Sequence, residues 1–137
     1  MKVRQHTRRA ILHYTATPLG REVTVEEVRR WHKGRGWSDI GYHYLIDAGG
    51  VINIGRPLRF VGAHTKGQNY DSIGICYVGG LDQEGNDTMT VCQAEAIRYL
   101  FDSLQVAYGP LTLHAHREFK NTACPGFDVK DRFNDAL

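Results

Sequence analysis

Between Leu111 and Asp128 the chain reads LTLHAHREFKNTACPGFD, which sets His116 eight residues before Cys124, itself held between Ala123 and Pro125. An imidazole and a thiolate are the donors that borderline-soft Zn²⁺ selects. A third candidate donor, His13, lies near the N-terminus in AILHYTAT. Three protein ligands leave the fourth coordination position open, which is the arrangement of a catalytic zinc. There is no Cys-x-x-Cys string in the chain, so a structural zinc is disfavoured.

Taken singly, each residue has an ordinary reading. His13 on an apolar strand reads as a core histidine, and Cys124 as a small buried hydrophobe. The combination carries the argument, because a strand exit and a proline-bearing loop are places where sites are built. Two other zinc patterns fail on the residues. His116-Arg117-Glu118 ahead of a cysteine approaches the nucleotide-deaminase pattern, but Phe127 stands where its second thiolate belongs. The helical His-Glu-x-x-His string is absent. A cysteine nucleophile paired with His116 stays open as separate chemistry. Against it, Cys124 precedes the last helix in a loop, whereas acidified thiolates sit at helix N-termini.

The elements that must hold these groups follow from the apolar pattern. Residues 9–14 read as a buried strand, 43–47 and 51–54 as a hairpin around Ala48-Gly49-Gly50, 58–62 as a further strand, and 73–80 as the central one. Capping-box patterns at Thr24–Glu27 and Thr90–Gln93 open two helices; the first ends near Gly34 and Gly36, the second at Gly109-Pro110. Residues 111–115 form a last strand, and a short helix starts near Asp128. The order β-α-β-β-β-β-α-β-α predicts an α/β fold with a mixed sheet and helices packed over it. Trp31 is expected to anchor the first helix to the sheet. Arg29, Arg30, Lys33 and Arg35 read as a solvated basic face, Cys76 as a core residue and Cys92 as a helix-surface residue.

Length and charge bound the rest. With 137 residues, 42% of them hydrophobic, the chain suits one domain over residues 1–137 that buries a core without disulfide staples. Three cysteines at no framework spacing predict a reducing compartment. A net charge of +2 gives no ground for nucleic-acid binding. No signal peptide or membrane span is read, so a cytoplasmic protein with no membrane partner is expected.

The strings ILHYTAT, RRWHKGRGWSDIGYHYLID, VGAHTKGQNYDSIGICYVGG and HAHREFKNTACPGFD, in that order, resemble the zinc-dependent N-acetylmuramoyl-L-alanine amidases. That group takes in type-2 amidases, peptidoglycan recognition proteins and short phage lysozymes of amidase type, the last being the most similar branch. The resemblance runs from about Arg9 to Asp128. It implies a central mixed sheet flanked by helices, with a zinc cleft on one face, and peptidoglycan as substrate. Carried over by position, it implies one Zn²⁺ per chain on His13, His116 and Cys124. His116 is preferred to its neighbour His114 because it stands in Ala115-His116-Arg117-Glu118. Tyr42 matches the family's catalytic tyrosine, and His64 matches a cleft residue that contacts substrate, with Asn69 a further candidate beside it. Many relatives carry a catalytic lysine two residues before the cysteine, where this chain has Thr122, as amidase-active recognition proteins often do. Thr122 is therefore a candidate hydroxyl donor beside Tyr42.

The implied reaction is hydrolysis of the amide between N-acetylmuramic acid and L-alanine, by a phage-type endolysin held in the host cytoplasm until its release to the wall. A monomer is expected. Two alternatives belong to other classes. One is a module that binds peptidoglycan without cutting it, which the intact Cys124 disfavours. The other is regulation of a phage RNA polymerase, since some phage relatives bind one.

Overall fold

A single mixed sheet runs through the computed structural model, which describes residues 1–133. Its strands are β1 (Arg9–Tyr14), β2 (Tyr44–Ile46), β3 (Ile52–Ile54), β4 (Ser72–Tyr77) and β5 (Thr112–Ala115), in the spatial order β3-β2-β4-β1-β5. β1 lies parallel to both β4 and β5, β2 lies parallel to β4, and only β3 is antiparallel, to β2. Among the described residues the α-helices are α1 (Val25–Gly34), α2 (Val91–Tyr108) and α3 (Val129–Arg132).

Strand periodicity divides the side chains between two cores. Ala10 and Leu12 of β1 and Ile73, Ile75 and Tyr77 of β4 pack with Ile97, Phe101 and Leu104 of α2 and with Val129 of α3. Cys76 of β4 and Leu45 of β2 pack on the other side with Val28 of α1, Val23 and Ile40. His13 alternates with Leu12, and in the β1–β4 register it stands opposite Cys76. The sheet thus presents His13, Gly74 and Cys76 on the α1 side, and the candidate site is built there.

Local chemistry sets the helix ends. Thr90 accepts from the Gln93 N–H at 3.1 Å while the Gln93 side chain takes the Thr90 N–H at 2.9 Å, completing the expected capping box. At α1 only half the box forms. Thr24 accepts from the Glu27 N–H at 3.1 Å, but the Glu27 carboxylate is drawn instead to Arg21. Gly50, with φ of +88°, closes the hairpin between β2 and β3 in a conformation L side chains avoid.

Two expectations need correction. Residues 58–62 form no strand and make one isolated bridge, Val3 to Phe60. Their backbone is taken up elsewhere: Arg59 and Val61 pair with Arg4 and Lys2, and the carbonyls of Phe60 and Val61 accept from His43 and Arg56. The element order therefore has one strand fewer than predicted. Trp31 does not anchor α1, because the buried stripe runs through Val28 and His32. Trp31 lies about a quarter-turn off that stripe, 37% exposed, with the Arg21 guanidinium over its ring. On the basic face Arg30, Lys33 and Arg35 are exposed, as expected, while Arg29 is half-buried and pairs with Glu26 and Asp39. Cys76 is buried and Cys92 exposed, as expected.

Candidate metal centre and cleft

His13, His116 and Cys124 converge from three parts of the fold, each offering a ligand atom within 4.8 Å of the others. β1 supplies His13, whose Nδ1 is 3.9 Å from Cys124 Sγ. His116 enters one residue past β5, on a short turn held by Glu118. The Glu118 carboxylate accepts from the Ala115 N–H at 2.6 Å and from His114 Nδ1 at 2.9 Å. His114 is thereby occupied, its Nε2 paired with the Thr112 hydroxyl at 2.7 Å, and it is not part of the trio. Cys124 is fixed on its loop by its own carbonyl, which accepts from the Arg117 N–H at 2.8 Å. Its sulfur accepts from the Tyr14 N–H at 3.3 Å.

The electrostatics suit a cation. Burial first, then the neighbouring His64 and His116, holds His13 well below the usual histidine range. His116 is lowered by burial and by Lys120. Both rings are therefore neutral near pH 7, the protonation state a metal ligand needs. Burial pushes the Cys124 thiol up to about 12, only partly offset by the Tyr14 N–H. That is the reverse of an activated cysteine nucleophile, which needs a depressed pKa. Two nitrogens and a sulfur in a pocket that raises its own thiol fit a thiophilic cation such as zinc, which would hold the sulfur as thiolate.

A cleft of about 460 Å³ opens over this trio, lined by His32, Arg35, Trp37, Tyr42, Ala63, His64, Thr65, Lys66, Asn69, His116 and Lys120. Its charged residues are all cationic. Tyr42 brings its ring to 5.1 Å from that of His13. Burial first, then the neighbouring Cys76 and Cys124, raises its hydroxyl well above the usual range. It is therefore a permanent donor. Asn69 lines the cleft, but its Oδ1 is engaged, accepting from the N–H groups of His64 and Thr65 at 3.0 and 2.9 Å. Thr122 stands apart. It lines a separate shallow hollow with Arg117, Phe119 and Asn121, and its hydroxyl faces the Cys124 N–H at 3.4 Å. His64 is 9% exposed, with Nδ1 2.9 Å from His13 Nε2, so its main partner is His13.

Sequence reading missed His32. Burial, with Arg35 and Arg56, lowers it to about 4, and its Nδ1 accepts from the Gly41 N–H at 2.8 Å. Its ring lies 4.7 Å from that of Trp37 and 5.4 Å from that of Tyr42, so it backs the cleft wall. The helical spacing Val28–His32 carried the signal, since it puts His32 on the buried stripe. A larger hollow of about 580 Å³ between residues 18–24 and 47–51 holds no histidine or cysteine.

The N-acetylmuramoyl-L-alanine amidase family model matches residues 4–127. The chain belongs to that family. It is 43% identical over 129 residues to the endolysin of Klebsiella phage KP32, covering 93% of this chain and 85% of that one. It is 41% identical over 131 residues to the endolysin of Escherichia phage T7, covering 94% and 87%. Among solved structures, the N-acetylmuramoyl-L-alanine amidase LysC from Clostridium intestinale superposes with a TM-score of 0.81 at 30% identity, covering 94% of this chain and 86% of that one. Amidases of this family are generally zinc-dependent, and the trio is where this member can hold a metal.

Proposed function

We propose that the protein is a peptidoglycan-lysing N-acetylmuramoyl-L-alanine amidase of the phage endolysin type, working with one Zn²⁺ on His13, His116 and Cys124. The convergence of these three side chains at the floor of a cationic cleft, in a chain of this family, carries the reading. When bound, zinc supplies Lewis acidity and lowers the pKa of water into the neutral range. The chain's own residues do the rest. His13 and Cys124, 1% and 6% exposed, would hold the ion together with His116, which also lines the cleft.

Tyr42 stays protonated and can donate to the oxyanion that develops on the amide carbonyl. The neighbouring Cys76 sulfur is a poor acceptor, so an anionic oxygen is the better partner for this hydroxyl. Thr122 has a hydroxyl on the Cys124 loop but no charge, so it adds at most a modest second donor. Asn69 holds the loop that carries His64 and shapes the cleft wall. Arg35, Lys66 and Lys120 favour an anionic wall polymer. One chain contributes all three ligands, so a monomer suffices. In this reading the protein accumulates in the host cytoplasm and acts once released to the wall.

The test is metal content of the purified protein together with turbidity loss of purified cell walls. One zinc per chain is expected, with lysis abolished by chelation and restored by added zinc. Lysis that survives exhaustive chelation but is lost on thiol alkylation would establish the cysteine-nucleophile chemistry instead.

A further inference from the structure

Both ring nitrogens of His13 are engaged. Nδ1 is turned to Cys124, at 3.9 Å from its sulfur, so an ion held between them takes Nδ1 and the ring proton belongs on Nε2. Nε2 meets His64 Nδ1 at 2.9 Å and Thr65 Oγ1 at 3.3 Å. If His64 Nδ1 accepts, the His64 proton sits on Nε2, which faces Ser72 Oγ at 3.3 Å. Ser72 in turn donates to the Gln68 carbonyl at 2.7 Å. His64 Nδ1 also meets Thr65 Oγ1 at 3.0 Å, and with Nδ1 accepting from both neighbours one set of tautomers satisfies the line from the metal site to the backbone. Its members are buried: His13 at 1%, Thr65 at 2% and Ser72 at 0% exposure, with His64 at 9%.

The backbone is shaped around the same ring. A Cβ on Gly74 would come within 2.6 Å of His64 Cγ and Cδ2, and one on Gly62 within 2.6 Å of Cδ2. No real Cβ tolerates such distances, so the His64 imidazole occupies a slot that exists because both flanking residues are glycine. Gly74 lies on β4 opposite Ile11, two pairs from the His13–Cys76 pair and on the same face of the sheet. The slot is thus indexed to the strand that carries His13.

We propose that His64 is a positioning residue for the metal: it accepts the Nε2 proton of His13 and so fixes the tautomer and ring orientation in which Nδ1 is the ligand. This rests on the reading of His13, His116 and Cys124 as the metal site. Ligand histidines usually donate to a carboxylate, carbonyl or water. Here a neutral imidazole takes that place and holds the ligand without adding a negative charge beside the ion.

Zinc affinity of the purified full chain, measured by competition with a chromophoric chelator, tests the assignment. His64→Leu fills the slot without an acceptor and should weaken zinc binding by about 10- to 100-fold. His64→Asn returns an acceptor oxygen to the position of Nδ1 and should stay close to the parent. In the zinc-loaded parent, ¹⁵N NMR should place the His13 proton on Nε2, with a coupling across the N–H···N bond to His64 Nδ1. Parent-like affinity in His64→Leu, or a His13 proton on Nδ1, overturns the proposal. So does an equal loss of affinity in both variants that tracks lower stability of the metal-free fold, which is the signature of packing alone. A parent chain that binds no zinc overturns the metal reading itself, a result distinct from a zinc-binding parent indifferent to His64→Leu.

Discussion

Acid should unfold the metal-free protein well above the pH at which its carboxylates titrate. His13, His43 and His64 are 1%, 1% and 9% exposed, and burial is the leading reason each is held below the usual histidine range, His43 at about 4. For a base with a lowered folded pKa, the stability contribution is complete above the unfolded value, near 6.5. It is lost as pH falls toward the folded value. At pH 5 an unfolded histidine gains about 2 kcal/mol from protonation that a buried neutral one forgoes. Three such groups give about 6 kcal/mol, comparable to the whole stability of a small domain. His32, also held at about 4, adds a comparable amount of about 2 kcal/mol, and the partly exposed His116 a smaller one in the same direction. Asp39, whose carboxyl is lowered by Arg29 and the Ile40 N–H despite its burial, acts only at more acid pH. Urea unfolding followed by circular dichroism at pH 7, 6 and 5, with chelator present, reads the loss directly. With a urea slope of about 2 kcal/mol per molar, the midpoint should fall by roughly 4 M between pH 7 and 5. His43→Asn keeps an acceptor for the Gly74 N–H, now supplied by His43 Nδ1 at 3.0 Å, and should remove about a quarter of the pH dependence. A change below about 1 kcal/mol between pH 7 and 5 would refute the neutral-histidine account.

Zinc binding near pH 7 should release about one proton, because His13 and His116 are already neutral and Cys124, pushed up to about 12, must ionise. Calorimetry in buffers of different ionisation enthalpy measures that number, and a value near zero would mean Cys124 is not a thiolate ligand. Tyr42→Phe should keep its zinc while kcat falls by about two to three orders of magnitude, read as wall lysis against metal content. An unchanged kcat would remove Tyr42 from the oxyanion role. Thr122→Ala should cost much less in the same assay, and Thr122→Lys should retain or raise lysis by bringing a charge to the loop before Cys124.

Much of the fold could be read from apolar runs and caps. The apolar runs at Ala10–Leu12 and from Ile73 onward fixed two central strands, and Thr90 with Gln93 marked the start of α2 to the residue. Residues 58–62 misled because an apolar run reports burial, not pairing. Arg56, 6% exposed, sends its guanidinium to the carbonyls of Ile40, Asp39 and Val61, and a side chain organising a loop from inside leaves no periodic trace. The trio was legible because donor chemistry is written in residue type. The direction in which His64 points was not, since it depends on room left by Gly62 and Gly74 across the sheet.

The charge layering of the site gives one further step. Its floor is neutral in the metal-free chain: buried imidazoles that have shed their protons lie beside a thiol kept protonated by burial. Its mouth is positive, with Arg35, Lys66 and Lys120 and no carboxylate among the lining residues. A dication placed in the floor gains from forming one thiolate there, leaving a single residual positive charge beneath a positive rim. Field of one sign through the whole depth of the cleft disfavours any cationic ligand and draws in an anionic one. It also lowers the energy of negative charge developing at the scissile carbonyl, so the same layering that admits the wall polymer favours the oxyanion formed in cutting it.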